Sequence, residues 1–98
     1  KFPVAVTRTV WNRYIEWRQA DTDQQAYQDQ SGRLWDVVWM ARHGMSGAKD
    51  QASQINFDLD CIPRDGRTKT AQLTTLKLHI GPGDQGEPVL TIMLPEED

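Results

Sequence analysis

The stretch with the most chemistry in it is His79 to Glu87, HIGPGDQGE. A glycine-rich turn can aim successive backbone N–H groups at an anion, and a neighbouring imidazole and carboxylate can serve as acid and base. His79 and Asp84 are therefore the candidates for a small hydrolase or an anion-binding enzyme. Three features weigh against that reading: the spacing is neither GxGxxG nor GxxxxGK[ST], the turn joins two strand-like runs instead of opening a helix, and Asp84 and Glu87 repel phosphate. As a plain connector, the turn would use its glycines for positive φ.

Asn56, Asp58 and Asp60 alternate onto one face of a strand, with Asp65 in the turn beyond. Grouped carboxylates bind Ca²⁺ or Mg²⁺ or do acid/base work, which makes Asp58 and Asp60 weak metal candidates. Their spacing is not that of a DxDxDG calcium loop, and a solvated strand face accounts for them. Cys61 shares the apolar alternation of Phe57 and Leu59, which predicts a buried, inert thiol. A single cysteine, with His43 and His79 far apart in the chain, supplies neither a disulfide framework nor a structural zinc site. No serine stands in a GxSxG setting, so acyl transfer has no support. The sequence predicts no catalytic residue, no metal and no cofactor.

The four tryptophans remain: Trp11, Trp17, Trp35 and Trp39. All four can serve as core. Trp35 and Trp39, however, lie one helical turn apart, off the main apolar stripe, with Arg42 beside them. Tryptophan with arginine is the composition of interface hot spots. Trp35, Trp39 and Arg42 are thus the partner-binding candidates, and a protein-interaction or accessory module is the favoured reading, ahead of the enzyme at His79 and Asp84.

Length and composition bound these readings. The chain has 98 residues, enough for one α+β domain spanning residues 1–98 with a single modest core. The net charge is −3, and the second half is the more acidic, which argues against nucleic acid as a partner because duplex binding needs a clustered basic patch. No long apolar run and no basic-then-apolar leader is present, so no membrane span is expected and a cytoplasmic location is predicted.

The elements that must position these residues are organised around Ser31 to His43, SGRLWDVVWMARH. On a helix, Leu34, Val37, Val38 and Ala41 fall on one face at the spacing of a core stripe. Ser31 is the expected cap and Gly44 the expected terminator. So apolar a helix should be wrapped by its neighbours on at least two sides. Thr7 should cap an earlier amphipathic helix from Arg8 to Gln19, whose apolar arc holds Val10, Trp11, Tyr14, Ile15 and Trp17. The polar run Ala20 to Gln30 reads as a mobile surface loop, and Met45 to Gln54 as a linker.

From Ile55 the period changes to two. Ile55 to Cys61, Thr70 to Ile80 and Val89 to Leu94 read as strands joined by turns at Pro63 to Gly66 and Gly81 to Gly86. Two helices on one face of a three-stranded antiparallel meander are expected, with Thr70 to Ile80 in the middle. Val89 to Leu94 is apolar on both faces, yet would lie at an edge, where natural sheets place charge or proline. Its cover should be Phe2 to Val6 as a fourth strand, a segment upstream of Lys1, or a second copy in a homodimer paired through Val89 to Leu94.

The blocks KFPVAVTRTVW, SGRLWDVVWMAR, FDLDCIPRDGRT and TLKLHIGPGDQGEPVLTIMLPEED, in that order, resemble an uncharacterised family of small proteins carried on bacterial plasmids, integrative elements and phage. The resemblance implies a bacterial, cytoplasmic, mobile-element context and an additional N-terminal segment before the FPVAVT block. It carries no activity and no site residue.

Overall fold

The computed structural model describes residues 3–46, 53–82 and 84–97. Phe2, most of the expected linker and Gly83 of the glycine turn lie outside the described residues. The chain runs β1 (Val4–Val6), α1 (Arg8–Val10, continuing as a π-helical turn over Trp11–Ile15), α2 (Gln19–Gln24), α3 (Gln30–Ser46), β2 (Gln54–Cys61), β3 (Gln72–Pro82) and β4 (Pro88–Met93).

The period-two alternation forms the expected meander. β3 pairs antiparallel with β2 on one side and with β4 on the other, setting Phe57 opposite Leu76, and Leu78 between Ile55 and Ile92. Alternate residues thereby share one face, and Phe57, Leu59, Leu76, Leu78, Leu90 and Ile92 are buried there. β1 adds a fourth strand, parallel to β4, so the sheet is mixed, in the order β1-β4-β3-β2. This corrects the three-stranded antiparallel description. Within the stretch Val89 to Leu94 expected to pair in a homodimer, Leu90 to Ile92 are paired on both sides, and among the described residues the outer strands are β1 and β2.

The architecture is α+β with three helices, not two. α1 lies over β4 and against α3, and α3 lies over β2. Val10, Ile15, Val37 and Ala41 close the core from the helical side. Thr7 caps α1 as expected, its Oγ1 accepting from Val10 N while donating to the Glu97 carboxylate at 3.0 Å. Glu97 also accepts from Leu94 N at 2.8 Å, so one carboxylate ties the start of α1 to the end of β4.

α1 stops at Ile15, short of the expected Gln19, because its last carbonyls are claimed from elsewhere. Arg33 Nε donates to Ile15 O at 3.0 Å, and Arg64 N to Arg13 O at 2.8 Å. Arg33 is 6% exposed. Its guanidinium also donates to Ile62 O and to Gln28 Oε1, makes a longer bond to Arg13 O, and stacks 4.3 Å from the centre of the Trp17 ring. The inner stripe of α3 is therefore Arg33, Val37, Ala41 and Gly44. Leu34 and Val38 are half-buried at its flank, and Trp35 and Trp39 stand in solvent on the opposite side, so α3 is not wrapped.

Gly44 does not end α3, which runs on through Ser46. Instead it lets the helix approach β2: a Cβ there would stand 2.9 Å from Phe57 Cβ. Asp29 supplies the N-terminal cap, accepting from Gly32 N at 3.1 Å, in place of Ser31.

Ala20 to Gln30, read as mobile, is anchored by buried polar groups. Asp21 reaches back to Arg18 N at 2.8 Å and pairs with Arg64 Nε at 2.8 Å. Gln25 bridges the Pro63 to Lys69 loop, donating to Pro63 O and Thr68 O and accepting from Gly66 N, where φ is +78°. Among the described residues no buried side-chain polar atom lacks a partner.

Two substitutions test this packing. Arg33→Lys should destabilise by about 2–4 kcal/mol in denaturant melts, because an ammonium cannot span carbonyls spread over three segments. Gly44→Ala should destabilise by about 1–3 kcal/mol although alanine is the better helix former, since the added methyl meets Phe57. A neutral result for either change would refute the stated packing.

Candidate functional site

α3 presents the most unusual surface of the molecule. Trp35 is 67% exposed and Trp39 66%, one turn apart, and Arg42 is exposed beside them. Nothing in the core requires them, because Val37 and Ala41 supply the inner stripe. A hollow of about 270 Å³ is lined by Trp39, Arg42 and His43. An aromatic pair with a guanidinium at its margin can bury a large area against another protein, the rings supplying apolar contact and the arginine a directional donor.

The residues offered for catalysis are not gathered in this way. His79 sits exposed on the open face of the sheet, between Gln54 of β2 and Thr91 of β4, with its ring beside Gly81. Asp84 is exposed in the turn beyond, and Glu87 accepts from Gln85 N at 3.0 Å, closing that turn on itself. Among the described residues neither His79 nor Asp84 lines the hollow beside Trp39 or three others of about 280–520 Å³.

Asp58 and Asp60 lie exposed on the open face as the alternation predicts. Asp58 accepts from Thr75 Oγ1 at 2.6 Å, and Asp60 stands across from Leu73, itself 72% exposed. Asp65 lies beyond β2, in the Pro63 to Lys69 loop, where Gln25 Nε2 also donates to it. It accepts from Arg67 N, Thr68 N and Thr68 Oγ1, and these hydrogen bonds hold its carboxyl down at about 2. Among the described residues no three His, Cys, Asp or Glu side chains gather as metal ligands.

Cys61 is half-buried and donates to Thr74 Oγ1 at 3.3 Å; burial pushes its thiol above the ordinary range, the opposite of what a nucleophile needs. Burial also raises the Asp21 carboxyl, but the hydrogen bonds from Arg18 N and Arg64 more than offset it, and its value lies below the usual one.

What the sequence concealed is the polar machinery behind α3. Nothing in Arg33 beyond its place on the helix signals an inward guanidinium. Asp21 did carry one: an acidic residue three positions after Arg18, at the spacing of a capping box.

The depressed carboxylates set a pH dependence. A group whose folded pKa lies below its unfolded value contributes stability above the unfolded value and loses it as pH falls through the folded one. Stability should therefore fall between about pH 4 and about pH 2, and Asp65→Asn should flatten part of that slope, as read from thermal melts across the range.

Among the described residues no helix is long and apolar enough to cross a membrane. No curated protein and no solved structure matches the chain. A family model described as "Family of unknown function (DUF6573)" matches residues 1–98, and the chain belongs to that family.

Proposed function

We propose that this protein is an interaction module with no catalytic activity of its own, acting as an accessory protein in the cytoplasm of a bacterium that carries it on a mobile element. The observation that carries the reading is the outward pair Trp35 and Trp39 with Arg42, on a helix whose inner face already completes the core. Large exposed aromatics on a small domain mark a contact surface, since solvating them has no structural return. The mobile-element context rests on the resemblance of the sequence blocks alone. The enzyme reading at His79 and Asp84 is less favoured, because the two residues stand apart from every hollow described above.

A photoreactive side chain at Ser31, exposed one turn before Trp35, provides the test. In extracts of the natural host it should cross-link to one protein, and Trp35→Ala with Trp39→Ala should abolish that product while changing stability by less than about 1 kcal/mol. An unchanged cross-linking pattern in the double variant would refute the assignment of the partner-binding face.

A further inference from the structure

Among the described residues nothing pairs with the outer edge of β2, which presents eight residues, Gln54–Cys61, as a free template for another strand. Two contiguous hollows of about 320 and 280 Å³ run along this edge, and both have Asp36 and Asp60 in their walls. The second straddles the strand: Met40 and Asp36 of α3 stand on one side, and Asp58 and Leu73 of the open sheet face on the other. A strand added here would send alternate side chains to these two walls. The open-face wall offers Asp58 and Asp60 as carboxylates and Leu73 as apolar surface. The helix-side wall offers Met40 and Asp36, and in the first hollow Asp29 as well. Arg33, which lines the first hollow, is already bound to main-chain carbonyls and Gln28.

We infer that the β2 edge binds an extended segment of another protein in which Lys or Arg alternates with apolar or β-branched residues. Backbone hydrogen bonds to the free edge would supply the common part of the affinity. Cations meeting Asp58 and Asp60, with their stems over Leu73, would supply the selection. The same charges disfavour a second copy as occupant, because two β2 edges placed together would bring Asp58 and Asp60 of both chains face to face. This goes beyond the tryptophan face, which lies on the outward side of α3, and the two surfaces can fail separately.

The probe is a fluorescein-labelled octapeptide, acetylated and amidated, alternating lysine with valine or threonine. Titrated with the full chain at low salt and followed by anisotropy, it should bind at least about tenfold tighter than the same peptide with glutamate for lysine. Amide shifts should concentrate on Gln54–Cys61. N-methylation of alternate residues along one peptide edge should abolish binding, while N-methylation along the other should not. Asp58→Asn with Asp60→Asn should weaken the lysine peptide by about fivefold or more and leave the rest of the amide spectrum in place. Trp35→Ala with Trp39→Ala should leave peptide binding intact, which separates this site from the tryptophan face. Equal binding of the two peptides, equal effects of N-methylation on both edges, or shifts confined to Trp35 and Trp39 would overturn the proposal. Light scattering that shows the protein alone to dimerise, with Gln54–Cys61 protected, would also overturn it by making a second copy the occupant.

Discussion

A guanidinium that pairs with no carboxylate among the described residues holds this molecule together. Arg33 is buried among neutral oxygens drawn from the end of α1, the loop after α2 and the residue following β2, and one face of it lies on the Trp17 ring. Burial lowers its pKa from the ordinary guanidinium value, yet the group stays charged, and its planar fork of donors suits carbonyls that point in several directions. Ile15 O would otherwise be an unsatisfied C-terminal carbonyl of α1, where a cation also meets the negative end of the helix dipole. The abrupt stop of α1 at Ile15 and the inward turn of Trp17 are two sides of one arrangement.

That arrangement also sets the roll of α3. With Arg33 directed inward, Val37, Ala41 and Gly44 follow at helical spacing and Gly44 meets Phe57, so the opposite side must carry Trp35 and Trp39. The exposed aromatic pair thus follows from a polar contact on the far side of the same helix. The second polar knot, Asp21 and Glu16 with Arg64, braces the region from the other end: Arg64 lies 2.8 Å from Asp21 and 3.2 Å from Glu16. Gln25 locks the adjoining loop, so the region formed by Ala20 to Gln30 and Pro63 to Lys69, poor in apolar residues, is held by hydrogen bonds.

How much of this was legible follows from which forces leave a pattern in sequence. The three meander strands were readable because Phe57, Leu59, Leu76 and Leu78 alternate with polar residues, and burial on one face imposes that period. The short β1 was readable only as a possibility raised by the apolar flanks of Val89 to Leu94. Its parallel sense was not readable, because a three-residue strand has no pattern of its own. The roll of α3 is not legible, since a charged residue at position 33 is assigned to water unless its partners are known, and most of the oxygens it binds are main-chain atoms with no side-chain signature. The same holds for Ala20 to Gln30, whose order rests on Asp21 and Gln25. For the candidate surface, the displacement of Trp35 and Trp39 from the apolar stripe was visible, whereas the groove beside Asp36 and Asp60 was not, since it depends on how α3 lies against β2.

The parallel pairing of β1 with β4 brings together segments from opposite ends of the folded region: Leu90 N donates to Pro3 O at 3.0 Å, and Thr7 N to Ile92 O at 3.0 Å. During synthesis, Val4–Val6 emerges long before Pro88–Met93 and has no sheet to join until the meander is complete. Closing so large a loop is slow relative to hairpin formation, so the helical segments and the β2–β3 pair are expected to organise first. Until that closure, the edge of β4 is unpaired, and the newly made chain is most exposed to misassociation in the interval between the emergence of β4 and the docking of β1.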